Sequence, residues 1–185
     1  MKKVYFLLTK TPTIVSRLIY HFSEDINYTH MAISIDPTLT DFYSFGRKGV
    51  YNPINAGFVR EEFNKGLYSR FPNCEVCILE MDITEEEYAG IKNTIDSFIN
   101  NKDNLKYNFI GLFFAKNNRV LEREEAYFCS SFVTYVLEQN NIKLFDRHYT
   151  LVAPNDYFKL SNNEEIRQVF IGKMIELEKI SFHSA

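Results

Sequence analysis

Cys129 stands where an apolar, helix-spaced stretch begins, and it is the residue best suited to nucleophilic chemistry in this sequence. In the segment 127–137, YFCSSFVTYVL, Cys129 shares one helical face with an apolar stripe made of Phe132, Val133, Val136 and Leu137. Unpaired N–H groups and the helix dipole favour a thiolate in the first turn, and the same N–H groups can hold an oxyanion. The alternative is an ordinary buried cysteine, since cysteine is among the most buried residue types.

His30 is the histidine best placed to serve a thiol nucleophile as its base. His183 lies in the C-terminal tail, His21 ends a predicted helix, and His148 follows FDR in a predicted loop. His30 opens the alternating stretch HMAISID and shares its face with the small Ala32, which leaves room for another element over the ring. Imidazole suits proton transfer because its pKa is near neutral. The alternative is a histidine at a strand edge with a satisfied hydrogen bond.

The elements around these two residues predict an α+β domain. Apolar runs and alternation predict strands at 4–8, 30–36, 42–46, 74–83 and 167–177, the second and third of them forming a hairpin. Helical spacing predicts a helix after Thr13 and another after Thr84, where Glu87 completes a capping box. The segment 107–114 is predicted as an apolar helix or turn and 47–73 as loop-like. The segment 152–160 is predicted as a turn and a short helix with Asn155 or Asp156 near its start. This order favours a mainly antiparallel sheet with packed helices in a single domain, 1–185.

Composition and charge exclude several classes of function. The 185 residues are 45% hydrophobic, carry a net charge of −3 and have a pI of about 5.8, so nothing favours a nucleic-acid partner. No stretch approaches the ~20 apolar residues that span a bilayer, and the apolar run at the start is too short for a signal peptide, which predicts a cytoplasmic protein without an integral membrane segment. The pair Cys74 and Cys77 lies in a strand-like run without further ligands nearby, so we expect no metal and no cofactor.

Four motifs together resemble the circularly permuted branch of the NlpC-like, papain-fold superfamily, which includes YiiX-like proteins and relatives of lecithin–retinol acyltransferase. Residues 30–33, HMAI, resemble the histidine strand of this family, and residues 129–133, CSSFV, resemble its cysteine helix. FYSFGRKGV follows the histidine strand, and a later P-x-D turn is matched by Pro154 and Asp156. The histidine precedes the cysteine, which is the order of the permuted branch. The resemblance covers about residues 4–160.

The resemblance implies a permuted papain-like fold and a cysteine hydrolase or acyltransferase that acts on amide or ester bonds through an acyl-thioester. In this family a polar residue on the next strand orients the histidine, and Ser44 stands at the matching position. A serine hydroxyl supplies no charge, so Asp36, Asp41, Glu61 or a backbone carbonyl are alternatives for this role. The weak third member also leaves open a binding protein without catalytic activity on the same fold.

The substrate is expected to be a small molecule, a lipid-acyl group or a peptide. The loop-like segment 47–73 is rich in aromatic residues, and we expect Tyr51 and Phe58 to form one wall of a cleft for an apolar substrate portion. Arg47, Lys48 and Arg60 would hold a carboxylate or phosphate at its mouth. Tyr28 is a candidate donor to the oxyanion. The alternative for each of these aromatic residues is packing in the core.

Overall fold

An antiparallel sheet of six strands forms the centre of the protein. The structure is a computed structural model, and it describes residues 1–11, 27–49, 55–63, 66–161, 163 and 165–177. The sheet order is β4-β3-β2-β1-β5-β8, and a separate two-stranded parallel ladder joins β6 to β7. The strands are β1 (Lys2–Lys10), β2 (His30–Ser34), β3 (Phe42–Arg47), β4 (Ala56–Glu61), β5 (Glu75–Ile83), β6 (Lys106–Tyr107), β7 (Ala126–Tyr127) and β8 (Ile166–Lys173). The predicted α+β class with a mainly antiparallel sheet is therefore confirmed.

Six α-helices and one 3₁₀ turn accompany the sheet in the described residues. They are α1 (Gly66–Arg70), α2 (Glu85–Asn100), α3 (Phe109–Lys116), α4 (Cys129–Glu138), the 3₁₀ turn Tyr149–Leu151, α5 (Pro154–Leu160) and α6 (Met174–Leu177). Helix α2 begins with the predicted capping box, in which the Glu87 N–H donates to the Thr84 hydroxyl at 3.1 Å. The helix predicted after Thr13 lies outside the described residues. In the part of the chain that the structure describes, every helix is too short or too polar to cross a bilayer.

The sheet is buried on both faces, which explains why β1 is apolar along most of its length. Val4, Phe6 and Leu8 of β1 belong to one core cluster, whereas Tyr5 and Leu7 belong to another. The first cluster contains apolar side chains of α2 and α4, and the second contains Tyr68 of α1 together with Met174 and Leu177 of α6. Successive side chains along a strand therefore pack into two different cores on opposite faces of the sheet, and α4 packs on the first of them.

Two predictions about the chain path are wrong. The segment 47–73 is not simply a loop, because it contains β4 and α1. Strand β4 extends the predicted β2–β3 hairpin, with Phe45 opposite Phe58 and Phe42 opposite Glu61. Alternating apolar residues outweigh the glycine and proline punctuation there. The predicted last strand, 167–177, ends at Lys173, and its final residues form α6 instead.

Candidate active site

Cys129 is the first residue of α4, so its side chain lies at the helix start. Phe128 is the N-cap residue and is extended, at φ −114° and ψ 171°. The Ser131 hydroxyl accepts a bond from the Phe128 N–H and donates to the Phe128 carbonyl, both at 2.9 Å, which fixes this turn. The first N–H groups of any α-helix have no partner within the helix. Cys129 is therefore followed by N–H groups of the first turn of α4, which are the type of donor that stabilises an oxyanion.

His30 and Cys129 meet where their two elements begin. His30 is the first residue of β2, and its ring lies close enough to the Cys129 side chain for a hydrogen bond that raises the pKa of His30. His30 Nε2 is engaged by a carboxylate, which leaves Nδ1 as the ring nitrogen for the thiol. The His30 side chain is 17% exposed and Cys129 is 4% exposed, so the pair is largely shielded from water. A base and a nucleophile in contact are the minimum that thiol catalysis requires.

Glu61 supplies the carboxylate that engages His30. Glu61 Oε1 lies 2.6 Å from His30 Nε2, and its side chain is 11% exposed. Glu61 is the last residue of β4, and the pairing of β4 with β3 brings it to the ring across two strands. A buried carboxylate in this position fixes the ring orientation and stabilises the imidazolium. The structure thus places Cys129, His30 and Glu61 in one hydrogen-bonded row.

Tyr68 extends this row on the far side of Glu61. Its hydroxyl donates a short hydrogen bond to Glu61 Oε2, and the residue is 2% exposed. Tyr68 lies on α1, the helix that follows β4. Burial raises the pKa of Tyr68 first, and the neighbouring Glu61 carboxylate raises it further. Tyr68 therefore stays protonated and acts as a fixed donor that holds the second carboxylate oxygen.

The electrostatics of the row favour the charged form of His30. Burial by itself lowers the pKa of His30, because it disfavours the imidazolium. The Glu61 carboxylate and the hydrogen bonds with Cys129 and Glu61 oppose burial and prevail, so the pKa of His30 lies well above 6.5. An imidazolium that persists at neutral pH can stabilise a thiolate by charge and hydrogen bonding.

Tyr107 is a further neighbour of Cys129 that the sequence did not single out. It lies on β6, opposite Tyr127 of β7, two residues before Cys129. Burial raises the pKa of Tyr107, and the proximity of the Cys129 thiolate raises it further. The Tyr107 phenol therefore stays protonated beside the thiol. No local pattern marks either Tyr107 or Tyr68, because only pairing between distant segments brings them to the site.

Ser44, the predicted third member, contacts the histidine less closely than Glu61 does. The Ser44 hydroxyl is fully buried, donates to the Met31 carbonyl at 2.8 Å and lies 3.4 Å from His30 Nε2. Of the alternatives, Asp36 accepts bonds from Thr38 and Thr40, and Asp41 pairs with Arg60. Glu61 is thus the alternative that the structure brings to the ring.

The predicted substrate-binding residues lie apart from this row or outside the described residues. Tyr28 is 4% exposed, packs edge-on against Phe158 and hydrogen-bonds with Cys77. Phe58 is 7% exposed and lies within an aromatic cluster of the first core, with Tyr43, Phe45, Phe98 and Phe132 around it. Tyr51 lies outside the described residues.

The predicted cations at the mouth of the cleft have different surroundings. Arg60 donates to the Asp41 carboxylate, while Arg47 ends β3 and Lys48 follows it.

Cys74 and Cys77 lie in the two different core clusters, as their spacing in a strand predicts. Burial raises the pKa of Cys74 to about 11 and that of Cys77 to about 12. Among the described residues, no group of three or more histidine, cysteine, aspartate or glutamate side chains is arranged to hold a metal ion. The candidate site therefore consists of the row from Cys129 to Tyr68, together with Tyr107.

Comparison of the chain with protein-family models found no match, and comparisons with curated proteins and with solved structures found none either.

Proposed function

We propose that this protein is a cysteine hydrolase or acyltransferase that acts on amide or ester bonds. The observation that carries the proposal is the His30 ring held between the Cys129 thiol and the Glu61 carboxylate. Nucleophile, base and orienting group are the three parts that thiol catalysis needs, and here Cys129 is buried while His30 and Glu61 are largely shielded from water. The proposal keeps the cytoplasmic location, on the sequence argument alone.

The proposed reaction proceeds through an acyl-thioester. His30 takes the proton of the Cys129 thiol, and the sulfur attacks the substrate carbonyl carbon. The carbonyl π electrons move onto oxygen, where the N–H groups at the start of α4 stabilise the charge. The intermediate collapses with loss of the amine or alcohol, which takes a proton from His30. His30 then removes a proton from water or an acceptor as that nucleophile attacks the thioester, and the thiolate leaves. Glu61 keeps the ring oriented throughout.

A permuted papain-like arrangement is the finer description of the fold that we propose. The histidine strand precedes the cysteine helix in the chain, and both pack in the same antiparallel α+β domain. The cysteine heads the helix and the histidine heads its strand, as the sequence resemblance implies. Order, location and contact agree with one another in supporting this arrangement.

A binding protein without catalytic activity is the second candidate. The low exposure of Cys129, 4%, favours it, because a substrate carbonyl must reach the sulfur atom. The uncharged Ser44 as third member of the triad also favoured a binding protein. That argument is weaker because the Glu61 carboxylate lies 2.6 Å from His30 Nε2. The two candidates differ in one measurable property, which is the reactivity of the Cys129 thiol.

Thiol alkylation across pH, with the label located by mass spectrometry, tests the proposal. We expect Cys129 to react faster than a model thiol at neutral pH. Cys74 and Cys77 are internal controls, since burial raises their pKa values and we expect them to stay unlabelled in the folded protein. Release of product from chromogenic amide and acyl-ester substrates, abolished by Cys129→Ser, then separates catalysis from mere reactivity.

Two results decide against the proposal. A Cys129 that reacts no faster than a model thiol at neutral pH contradicts its role as a nucleophile and favours the binding protein. A reactive Cys129 that neither forms an acyl-enzyme nor turns over amide or ester substrates contradicts the catalytic role.

A further inference from the structure

Helix α3 exposes most of its apolar side chains, although it lies beside the candidate active site. Phe109 is 39% exposed, Ile110 is 53% exposed and Phe113 is 65% exposed, whereas Gly111 is the buried residue of this helix. Phe113 lies four positions after Phe109 and three after Ile110, so the three side chains share one side of the helix. We call these three residues the α3 apolar patch. An exposed cluster of large apolar side chains on a protein surface indicates a binding site.

The patch is unusual within this molecule. Among the described residues, eight large apolar side chains are exposed, and four of them, including Val120, fall between positions 109 and 120. Scattered single apolar residues on a surface need no explanation, but a cluster on one short helix does. The helix of eight residues is about 12 Å long, too short to cross a bilayer, so its patch can only lie on a surface.

The charges around the patch select the kind of surface. The chain carries a net charge of −3, yet the segment 104–121 contains Lys106, Lys116 and Arg119, and its nearest carboxylates along the chain are Asp103 and Glu122, the latter paired with His148. All three cations are exposed, and the Arg119 guanidinium lies over the Phe114 ring at 5.3 Å. Exposed aromatic side chains bordered by lysine and arginine match the boundary of an anionic bilayer, where aromatic residues enter and cations contact headgroups.

The patch is continuous with the candidate active site. The Phe109 ring packs against the Tyr107 ring with centroids 4.5 Å apart, and Tyr107 pairs with Tyr127, two residues before Cys129. The exposed aromatic surface therefore adjoins the β6–β7 ladder that leads into the start of α4. A protein bound through this patch brings the start of α4 close to the lipid surface.

From these observations we propose that the α3 apolar patch docks the protein on an anionic lipid surface. Phe109, Ile110 and Phe113 enter the boundary between headgroups and acyl chains, while Lys106, Lys116 and Arg119 contact the anionic headgroups. Docking needs no thiol chemistry, so this proposal is independent of the proposed function. If both hold, the enzyme meets its acyl substrate at the membrane surface.

Flotation of the full chain with vesicles tests the docking. We expect binding to phosphatidylcholine vesicles that contain about a third phosphatidylglycerol, and much weaker binding to phosphatidylcholine alone. The double variant Ile110→Ser/Phe113→Ser should bind about a hundredfold more weakly, since burial of each of the two side chains strengthens binding by about tenfold. The variant Lys116→Gln/Arg119→Gln should lose the preference for anionic vesicles, and wild-type binding should fall with added salt.

Matched controls separate the patch from general apolar exposure and from catalysis. Val169→Ser/Ile171→Ser removes two exposed apolar side chains from β8 and should leave vesicle binding unchanged. Cys129→Ser should bind vesicles as wild type does, even if the catalytic proposal fails.

Two outcomes overturn the docking proposal. One is wild-type protein that fails to float with anionic vesicles, or a patch variant that floats as well as wild type. The other is a wild-type dimer in sedimentation equilibrium that becomes monomeric in Ile110→Ser/Phe113→Ser without vesicle binding by either protein. That result assigns the patch to an interface between two copies of the chain.

Discussion

At His30, two side-chain oxygen atoms compete for one ring nitrogen, and their chemistry decides which one matters. The Ser44 hydroxyl donates its single proton to the Met31 carbonyl, so toward Nε2, 3.4 Å away, it can act only as an acceptor. Glu61 accepts at 2.6 Å and carries a negative charge. Charge-assisted hydrogen bonds are roughly twice as strong as neutral ones. Glu61 is therefore the partner that controls the orientation and protonation of His30.

Replacement of Glu61 by glutamine tests this control. Glu61→Gln keeps the size of the side chain but removes the charge that raises the pKa of His30, so the imidazolium is lost at lower pH. We expect the alkylation rate of Cys129 at neutral pH to fall by about 10²-fold or more, as for other carboxylates that orient a catalytic histidine. Ser44→Ala is the matched control, and its rate should stay within about tenfold of wild type. A larger effect from Ser44→Ala than from Glu61→Gln would assign the third position to the serine.

Tyr68 is a positioning residue, because it touches Glu61 and not the thiol. Tyr68→Phe leaves the buried Glu61 Oε2 without its donor, and we expect a loss of about 1–3 kcal/mol in the free energy of unfolding. Tyr157→Phe is a matched control, since the Tyr157 hydroxyl is also buried and pairs with Thr134 at 3.0 Å, away from the row. Both variants should lose stability in denaturant titrations, but only Tyr68→Phe should shift the pH profile of Cys129 alkylation. Identical profiles in the two variants contradict the positioning role.

At the scale of elements, the sequence predicts what local patterns encode and misses what long-range pairing creates. Cys129 and His30 each head an element whose apolar period is visible in the chain, so both could be predicted as candidates. Glu61 could be named only as one alternative, because its place depends on the register of β4 against β3. Tyr68 and Tyr107 carry no local signal. The same limit explains the loop-like interpretation of 47–73, where pairing with β3 overrides turn-forming residues.

Phe58 shows how an element changes the interpretation of a residue. In a loop it is a candidate wall for substrate, but in β4 it lies within the aromatic cluster of the first core. We expect Phe58→Ala to lower the free energy of unfolding by about 3–5 kcal/mol. Phe113→Ala makes the same change at a 65% exposed site and should alter stability by about 0.5 kcal/mol or less. Denaturant titration of both variants measures the difference. If the Phe58→Ala protein is as stable as wild type and loses only its reactivity toward long-chain esters, Phe58 lines the substrate cleft and is not a core residue.

At the scale of the whole molecule, the candidate site is part of what stabilises the fold. The row from Cys129 to Tyr68 joins α4, β2, β4 and α1, and the charged pair within it is largely buried. Breaking a buried ion pair by removing one partner is strongly destabilising, since it leaves an uncompensated charge. The same contacts that prepare the thiol for chemistry therefore make folding stability depend on the protonation of His30.

The sign of this pH dependence follows from the raised pKa of His30. A group whose pKa is higher in the folded state than in the unfolded state binds its proton more tightly when folded. Its contribution is fully present below the unfolded value of about 6.5 and is lost as the pH rises through the folded value. The free energy of unfolding of wild type, minus that of His30→Gln, should therefore be larger near pH 6 than near pH 9, at about these values. Urea titrations at several pH values measure this difference. In the Cys129→Ser background, which removes thiol titration, the same direction should persist because Glu61 still faces the ring. A difference that grows with rising pH in that background shows that burial, not Glu61, dominates the pKa of His30.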